Sequence, residues 1–171
     1  MRYDRGLRVF AYGTDSVDTR FYENYYADTM FDLNGDTIRL DNGTPLVYLP
    51  LEVRLDLSRL PAEKTAGARM KKYEIDKMGT KDGKLSDNDI VLFRYADVLL
   101  MRSEAKVRNG ENGDEELNAV RFRVGMLPRE ATLENILAER QLELAWEGWR
   151  RQDLVRFGKF TRLIRIALNC P

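Results

Sequence analysis

Helical periodicity between residues 86 and 160 is the feature that most constrains how this chain can fold. The first predicted helix begins near Arg94 and ends at Asn109-Gly110, because glycine is free to adopt the left-handed conformation of a helix C-terminus. Its residues at helical spacing are expected to share one face turned towards the core: Tyr95, Val98, Leu99, Arg102 and Ala105.

Three further helices are predicted in the same segment. Asp114 caps the second, which stops at Gly125; Thr132 caps the third, which runs to Gly148; a short fourth covers about residues 151–157 and closes at Gly158. The loops between them are short, so neighbouring helices are expected to pack antiparallel. The predicted inward stripes are Leu117, Val120 and Val124 in the second helix, and Leu133, Ile136, Leu137, Leu144 and Ala145 in the third.

Residues 1–85 have a different character, with many turn signals and short alternating runs. Asn34-Gly35-Asp36 and Asp41-Asn42-Gly43 predict turns, because asparagine and glycine tolerate positive φ. They flank a predicted β-hairpin at residues 36–49, with residues 46–49 as its return strand, and residues 53–57 also alternate. The predicted fold class is therefore mainly α in a single domain over residues 1–171, with a loop-rich first segment that carries short β-strands.

Composition excludes several kinds of chemistry. Lys plus Arg equals Asp plus Glu at 28 each, so the neutral chain offers no global field for nucleic acid. The absence of histidine removes most zinc and iron sites and the Ser-His and Cys-His nucleophile pairs. Glycine-rich phosphate loops are missing as well. Neither a cofactor nor a metal is expected, and Asp36, Asp41 and Asn42 are interpreted as turn residues because their spacing does not match a calcium loop.

Membrane association leaves little direct trace in the sequence. No run approaches the roughly 20 apolar residues that cross a bilayer. The first fifteen residues are basic but lack the apolar stretch and the cleavage site of a signal peptide. The chain is therefore interpreted either as cytoplasmic or as a piece of a longer exported protein.

Two stretches carry a resemblance to a known family. Phe93 to Ala105 reads FRYADVLLMRSEA and resembles, nearly residue for residue, the "RYADVLLMRAEA" helix of SusD-like (SusD/RagB) proteins. Leu117 to Arg121 and Glu139 to Lys159 are similar to that family's "LN-x-VR" and "ER-x-x-EL-x-x-EG-x-R-x-x-DL-x-R-x-GK" patterns, in the family's order and spacing. Weaker support comes from Asp18-Thr19-Arg20 and Lys72-Tyr73.

This resemblance implies a fold, a location and a function. It implies tetratricopeptide-like antiparallel helices and an outward-facing lipoprotein of the outer membrane. Such a protein captures a glycan or oligosaccharide, or another nutrient such as a peptide, and caps a SusC-like TonB-dependent transporter without catalysing a reaction. The family's N-terminal part, with its signal peptide and lipidated cysteine, has no counterpart here, and residues 162–171 replace the usual proline-rich ending. The chain is therefore expected to be a fragment, with membrane contact only through a lipid anchor that it does not carry.

Charged residues are densest between residues 139 and 156. Glu139 and Glu143 are four residues apart and share a helix face, so they are one candidate carboxylate pair for a glycosidase. Nearby arginines favour a structural network instead, because they lower a carboxylate pKa whereas acid catalysis requires a raised one. We therefore predict no catalytic residue and expect this group to join helices: Glu139, Arg140, Glu143, Glu147, Arg150, Arg151, Asp153 and Arg156.

The binding candidates lie in the tyrosine-rich first half of the chain. Sugar sites combine aromatic faces with polar side chains, and the candidate ligand-binding residues are Tyr12, Tyr22, Asn24, Tyr25, Tyr26 and Tyr48. The alternative is that these tyrosines pack the loop-rich half onto the helices. Trp146, Trp149 and Tyr95 are expected to be core residues. The predicted function is non-catalytic glycan binding, and the alternative is a helical protein-interaction scaffold with no small-molecule ligand.

Overall fold

The computed structural model describes residues 18–32, 34–50, 52, 65–73 and 88–160. The chain divides into two compact units, residues 1–74 and 75–171. The described residues form five helices and four two-residue strands, so the prediction of a mainly α fold with short strands in its first part is confirmed. The alternating run predicted at residues 53–57 lies outside the described residues. No helix in these described ranges combines the length and apolar character needed to cross a bilayer.

The first unit is built from one short helix and two small antiparallel sheets. Helix α1 covers Arg20–Asn24, and the strands are β1 (Tyr25–Tyr26), β2 (Asp28–Thr29), β3 (Val47–Tyr48) and β4 (Arg69–Met70). Strand β1 pairs with β4, and β2 pairs with β3, both antiparallel. Pairing of β1 with β4 therefore joins two parts of the chain that are more than forty residues apart.

The predicted hairpin is present, but its return strand has a second partner. Gly35 (φ +89°) and Gly43 (φ +80°) occupy the predicted turns, and Arg39 bridges antiparallel to Pro45. The Asn42 carboxamide oxygen accepts hydrogen bonds from the Thr44 backbone N–H (3.0 Å) and hydroxyl (2.7 Å), which is turn chemistry. Beyond these residues the return strand continues as β3 and pairs with β2, a partner that lies before the hairpin in the chain.

The second unit contains four helices around a small apolar core. They are α2 (Tyr95–Arg108), α3 (Asp114–Arg123), α4 (Leu133–Glu143) and α5 (Arg150–Arg156). Helix α2 packs against both α3 and α4, and α4 packs against α5. The centre of the core consists of Leu100, Leu117, Val120 and Ile136. Helix α2 is therefore the central element of this unit.

Most helix ends agree with the predicted signals. Gly110 (φ +78°) follows α2 and Gly158 (φ +66°) follows α5, both left-handed as predicted. The Thr132 hydroxyl accepts a hydrogen bond from the Asn135 N–H at 3.1 Å, which confirms it as the cap of α4.

Two predicted helix ends are wrong. Gly113, not Asp114, is the N-cap of α3; the Asp114 carboxylate instead accepts a hydrogen bond from the Ala131 N–H at 2.6 Å, across the α3–α4 loop. Helix α4 ends at Glu143 rather than Gly148, because Trp146 takes a left-handed conformation (φ +68°) that a right-handed helix cannot contain.

The predicted inward face of α2 is also wrong, except at Leu99, which is half-buried and packs against the core. Tyr95 is 74% exposed and Val98 is 46% exposed, and Arg102 and Ala105 are exposed as well. The buried residues are Asp97, Leu100, Ser103 and Glu104. Three of these four are polar or charged. A search for apolar periodicity therefore could not identify the buried face of α2, which carries ion-pairing residues.

Candidate binding surface in the first unit

Helix α1 is held at its start by the Asp18-Thr19-Arg20 motif. The Asp18 carboxylate accepts hydrogen bonds from the Arg20 backbone N–H at 3.0 Å and from its guanidinium at 2.6 Å. Both side chains are buried. A carboxylate two residues before an arginine thus closes a compact loop and sets the direction in which α1 and β1 leave it.

Phe21 anchors the tyrosine-rich segment. Its ring is fully buried, meets the Tyr22 ring edge-on with centroids 5.1 Å apart, and stacks with the Tyr25 ring at 5.7 Å. Tyr22 remains 49% exposed and Tyr26 39% exposed, whereas Tyr25 is half-buried. One buried ring therefore supports a segment that presents two of its three tyrosines to solvent.

Strand pairing adds two cations to these tyrosines. Tyr26 lies opposite Arg69 in the β1–β4 register, so the two side chains share a face of the sheet. Lys71 lies two residues beyond Arg69; its ammonium donates a hydrogen bond to the Tyr22 carbonyl oxygen at 2.6 Å and lies 6.0 Å from the centre of the Tyr26 ring. The Arg69 guanidinium lies 5.0 Å from the centre of the Tyr48 ring.

We call the resulting set the tyrosine surface; it consists of Tyr22, Tyr26, Tyr48, Arg69 and Lys71. Sequence reasoning did not identify the two cations. The available signal was their i, i+2 spacing, which places both on one side of an extended segment.

The remaining predicted binding residues lie elsewhere. Asn24 is 4% exposed, and its backbone carbonyl oxygen accepts a hydrogen bond from the Lys71 N–H at 3.0 Å. Tyr25 packs on Phe21, as described above, and Tyr12 lies outside the described residues. Asn24 and Tyr25 thus contribute the hydrogen bonding and packing that hold the tyrosine surface in place.

Six of the eight residues in the predicted charged cluster form a network of ion pairs. Of the other two, Arg150 donates a hydrogen bond to the Leu137 carbonyl oxygen at 3.3 Å, and Arg151 lies over the Phe160 ring. Arg140 bonds Asp97 at 2.7 Å and Asp153 at 2.9 Å, with all three side chains buried. Further close pairs include Arg94 with Glu143 (2.6 Å) and Glu147 (2.9 Å), Arg121 with Glu139 (2.6 Å), and Arg123 with Glu143 (2.7 Å). Four of these partners were not in the predicted group because they lie earlier in the chain: Arg94, Asp97, Arg121 and Arg123.

The two carboxylate partners of Arg94 favour its charged form. Burial alone would lower the pKa of Arg94, but its hydrogen bonds to Glu147 and Glu143 outweigh that effect, and the pKa lies above its ordinary value. Both glutamates therefore take part in ion pairs with this arginine.

The three large aromatic residues predicted for this core differ in placement. Trp149 is half-buried and packs against Phe93 with ring centroids 5.9 Å apart. Trp146 is 47% exposed in the turn after α4, and Tyr95 is exposed at the start of α2, so for these two the core prediction is wrong. Charged residues occupy the interior positions that these rings were expected to fill.

Comparison with known proteins gives one consistent set of relatives. The sequence model of the SusD family matches residues 14–167. The chain is 36% identical over 91 residues to the starch-binding protein SusD of Bacteroides thetaiotaomicron, an alignment covering 52% of this chain and 16% of that protein. It is also 36% identical over 91 residues to the SusD-like protein P38 of Formosa agariphila, covering 44% of this chain and 18% of that protein.

A solved structure shares the fold. The surface glycan-binding protein A from Bacteroides thetaiotaomicron superposes with a TM-score of 0.61 and 27% identity, and the match covers 92% of this chain. It covers 31% of that chain, so this chain spans less than a third of the length of each of these relatives.

Proposed function

The chain belongs to the SusD family, and on that premise we propose that it takes part in non-catalytic binding of glycans at the outer membrane, for import through a TonB-dependent transporter. Two relatives, a starch-binding protein and a surface glycan-binding protein, support the ligand class. The proposed partner is a SusC-like transporter, and the proposed location is the outer face of the outer membrane.

The tyrosine surface is the observation that carries this proposal. Sugars present apolar C–H faces and many hydroxyls, so a site for them needs exposed rings with hydrogen-bond donors beside them. Tyr22 and Tyr26 have exposed rings, and the Lys71 ammonium has donors beyond the one it uses on the Tyr22 carbonyl. Arg69 covers one face of Tyr48, so we assign Tyr48 a hydrogen-bonding or edge contact rather than stacking on that face.

Catalysis is not part of the proposed function. A glycosidase needs one carboxylic acid with a raised pKa beside a second carboxylate. Glu139 and Glu143 each lie within 2.6 Å of an arginine nitrogen, from Arg121 and Arg94 respectively. These contacts support a structural role for the pair.

Glycan binding is tested with the 171-residue chain. A panel of neutral and acidic oligosaccharides is screened on an array, and the best ligand is titrated by calorimetry. We expect Tyr26→Ala to weaken binding about three- to tenfold, because an aromatic face contributes roughly 1 kcal/mol. Tyr95→Ala is the matched control, since Tyr95 is an exposed tyrosine of the second unit. Equal effects of the two substitutions would contradict the assignment of the site.

The alternative function, a helical protein-interaction scaffold, has one observation in its favour. The outer face of α2 and the residues before it expose large apolar side chains, among them Leu92, Phe93, Tyr95 and Val98. Contiguous exposed apolar surface is typical of interaction sites. Absence of binding to every glycan, together with transporter association that Val98→Asp abolishes, would favour this alternative over glycan binding.

A further inference from the structure

A groove on the second unit lies between the C-terminal end of α2, the first turns of α4 and the residues that follow α5. Its volume is about 270 Å³. Arg108, Arg156 and Lys159 line one side, and Leu133, Leu137 and Phe157 provide apolar surface. The groove is remote in sequence from the tyrosine surface and uses none of its residues, so it is a separate candidate site.

Glu104 holds two of the three cations in place. This buried carboxylate accepts hydrogen bonds from the Arg108 Nε at 2.8 Å and from the Arg156 Nε and Nη2 at 3.0 and 2.8 Å. One carboxylate thus orients two guanidiniums. Within the described part of the chain, neither the terminal Nη atoms of Arg108 nor the Lys159 ammonium donates a hydrogen bond. The groove therefore has positioned donors to offer a ligand.

Two other carboxylates lie at or near this groove. Asp153 accepts a hydrogen bond from the Arg156 Nη2 at 3.0 Å, but it is buried and shared with Arg140. Glu134 is exposed and lines the groove directly. An anionic ligand must therefore bind in the presence of the Glu134 charge, which makes Glu134 a sensitive position for testing the site.

The apolar surface restricts the kind of anion. The Arg108 and Arg156 guanidiniums lie 5.0 and 5.3 Å from the centre of the Phe157 ring, so cations already contact this aromatic ring and it is a poor platform for a sugar. Leu133 and Leu137 leave an aliphatic contact instead. The volume lies at the small end of ligand pockets, so it suits a ligand of about one residue.

We propose that this groove binds a small carboxylate that carries an aliphatic substituent, as in the C-terminal residue of a peptide or a free branched-chain acid. The carboxylate is received by Arg108 and Lys159, and the substituent packs on Leu133 and Leu137. Guanidinium forks are the side chains best suited to carboxylate recognition, and the aliphatic contact adds selectivity over a plain anion.

The ligand class is tested on the 171-residue chain by NMR titration with N-acetyl-L-leucine and its uncharged amide, N-acetyl-L-leucinamide. We expect saturable shifts at Leu133, Leu137 and Lys159 with the acid, and about tenfold weaker binding of the amide, since a charge-assisted hydrogen bond is lost. Equal affinity for both compounds would overturn the proposal. So would galacturonate binding as tightly as the acid, because galacturonate has the charge without the aliphatic group.

A further arm separates the two sources of such a ligand. 4-Methylpentanoate has the same branched chain and carboxylate as N-acetyl-L-leucine but lacks the peptide amide. Equal binding of both supports a free acid as the ligand, and tighter binding of N-acetyl-L-leucine supports a peptide end.

Variants of opposite sign test the groove itself. Lys159→Gln should weaken the binding of N-acetyl-L-leucine about five- to tenfold, and Glu134→Gln should strengthen it, because it removes the Glu134 charge from the groove. Arg102→Gln is the matched control, since it removes one positive charge from α2 outside the groove. Unchanged affinity in a folded Lys159→Gln protein, or equal loss in the control, would refute the assignment. Lys159 is exposed and has no partner in the described ranges, so its substitution should leave the fold intact.

Discussion

Arg140 is the residue on which the interior of the second unit depends most. It is 1% exposed and bonds two carboxylates, Asp97 from α2 and Asp153 from α5. A single guanidinium thus connects three helices where an apolar core would otherwise be needed. Such a buried pair is weak evidence of net stabilisation, but removing one partner is costly because it leaves charge in a medium that solvates it poorly.

We therefore predict that Arg140→Met destabilises the second unit by about 3–5 kcal/mol. The measurement is urea denaturation followed by tryptophan fluorescence, which reports on this unit because both tryptophans of the chain, Trp146 and Trp149, lie in it.

Arg102→Met is the control, because Arg102 also pairs with a carboxylate, Glu116, but its side chain is 65% exposed. Lys106 also pairs with Glu116, at 2.6 Å, so loss of the exposed Arg102 leaves that carboxylate paired and should cost about 0–1 kcal/mol. If both variants lost the same small amount of unfolding free energy, the buried Arg140 network would not be important for the stability of this unit.

At the scale of elements, the junction between α2 and α3 is a close contact of the second unit. A Cβ atom on Gly113 would lie 2.7 Å from the Ser103 carbonyl oxygen and 2.8 Å from its hydroxyl. The Ser103 hydroxyl donates a hydrogen bond to the Gly113 carbonyl oxygen at 2.8 Å. Other residues can adopt the φ of −107° found at Gly113. Glycine is therefore required here by the lack of space between the two helices and not by its backbone conformation.

Gly113→Ala should accordingly destabilise the unit by about 1–3 kcal/mol, the usual cost of forcing extra volume into a packed contact. Thermal melting followed by circular dichroism measures the effect. Glu111→Ala, in the same loop at an exposed position, is expected to change the stability by less than about 0.5 kcal/mol. Equal melting temperatures of Gly113→Ala and Glu111→Ala would contradict this prediction, because they would show that α2 and α3 can move apart without loss of stability.

At the scale of the whole molecule, stability should depend on pH only at the extremes. The chain has no histidine, so no side chain of that kind titrates near neutrality. Burial would raise the pKa of Glu104, but hydrogen bonds from Arg156 and Arg108 outweigh it and hold the pKa below its ordinary value of 4.5. Glu116 behaves in the same way, with Lys106 as the main partner that lowers its pKa against burial.

The sign of the pH effect follows from these lowered pKa values. The folded state binds protons less readily than the unfolded state, so the contribution of both glutamates is complete well above pH 4.5. It is lost as the pH falls through the lower folded-state pKa. We expect urea midpoints that are level from about pH 6 to 8 and that decline below about pH 4.5.

Glu104→Gln provides the test of this assignment. It should lower stability at neutral pH and reduce the loss on acidification, because one of the two linked carboxylates is gone. Glu115→Gln, an exposed first-turn position of α3, is the control for the change in charge. An unchanged acid dependence in Glu104→Gln would mean that other carboxylates are responsible.

The tyrosine surface shows how far a sequence identifies a candidate site. Tyr22, Tyr26 and Tyr48 were predicted as ligand-binding residues because a tyrosine-rich segment can be recognised from the sequence alone. Arg69 and Lys71 were not, because they join the tyrosines only through the β1–β4 pairing across more than forty residues. The burial of Asn24 follows from the same pairing, since its carbonyl is bonded by Lys71.

By itself, the sequence determined the mainly α class, the family resemblance, three of the helix ends and the turns of the hairpin. These are local properties: a cap, a left-handed glycine or a motif needs only residues close in the chain. Tertiary structure alone decided which face of α2 is buried, since Asp97 and Glu104 are inward only because Arg140 and Arg156 reach them from other helices. Apolar periodicity assumes that interiors are apolar, and a core that pairs its charges breaks that assumption.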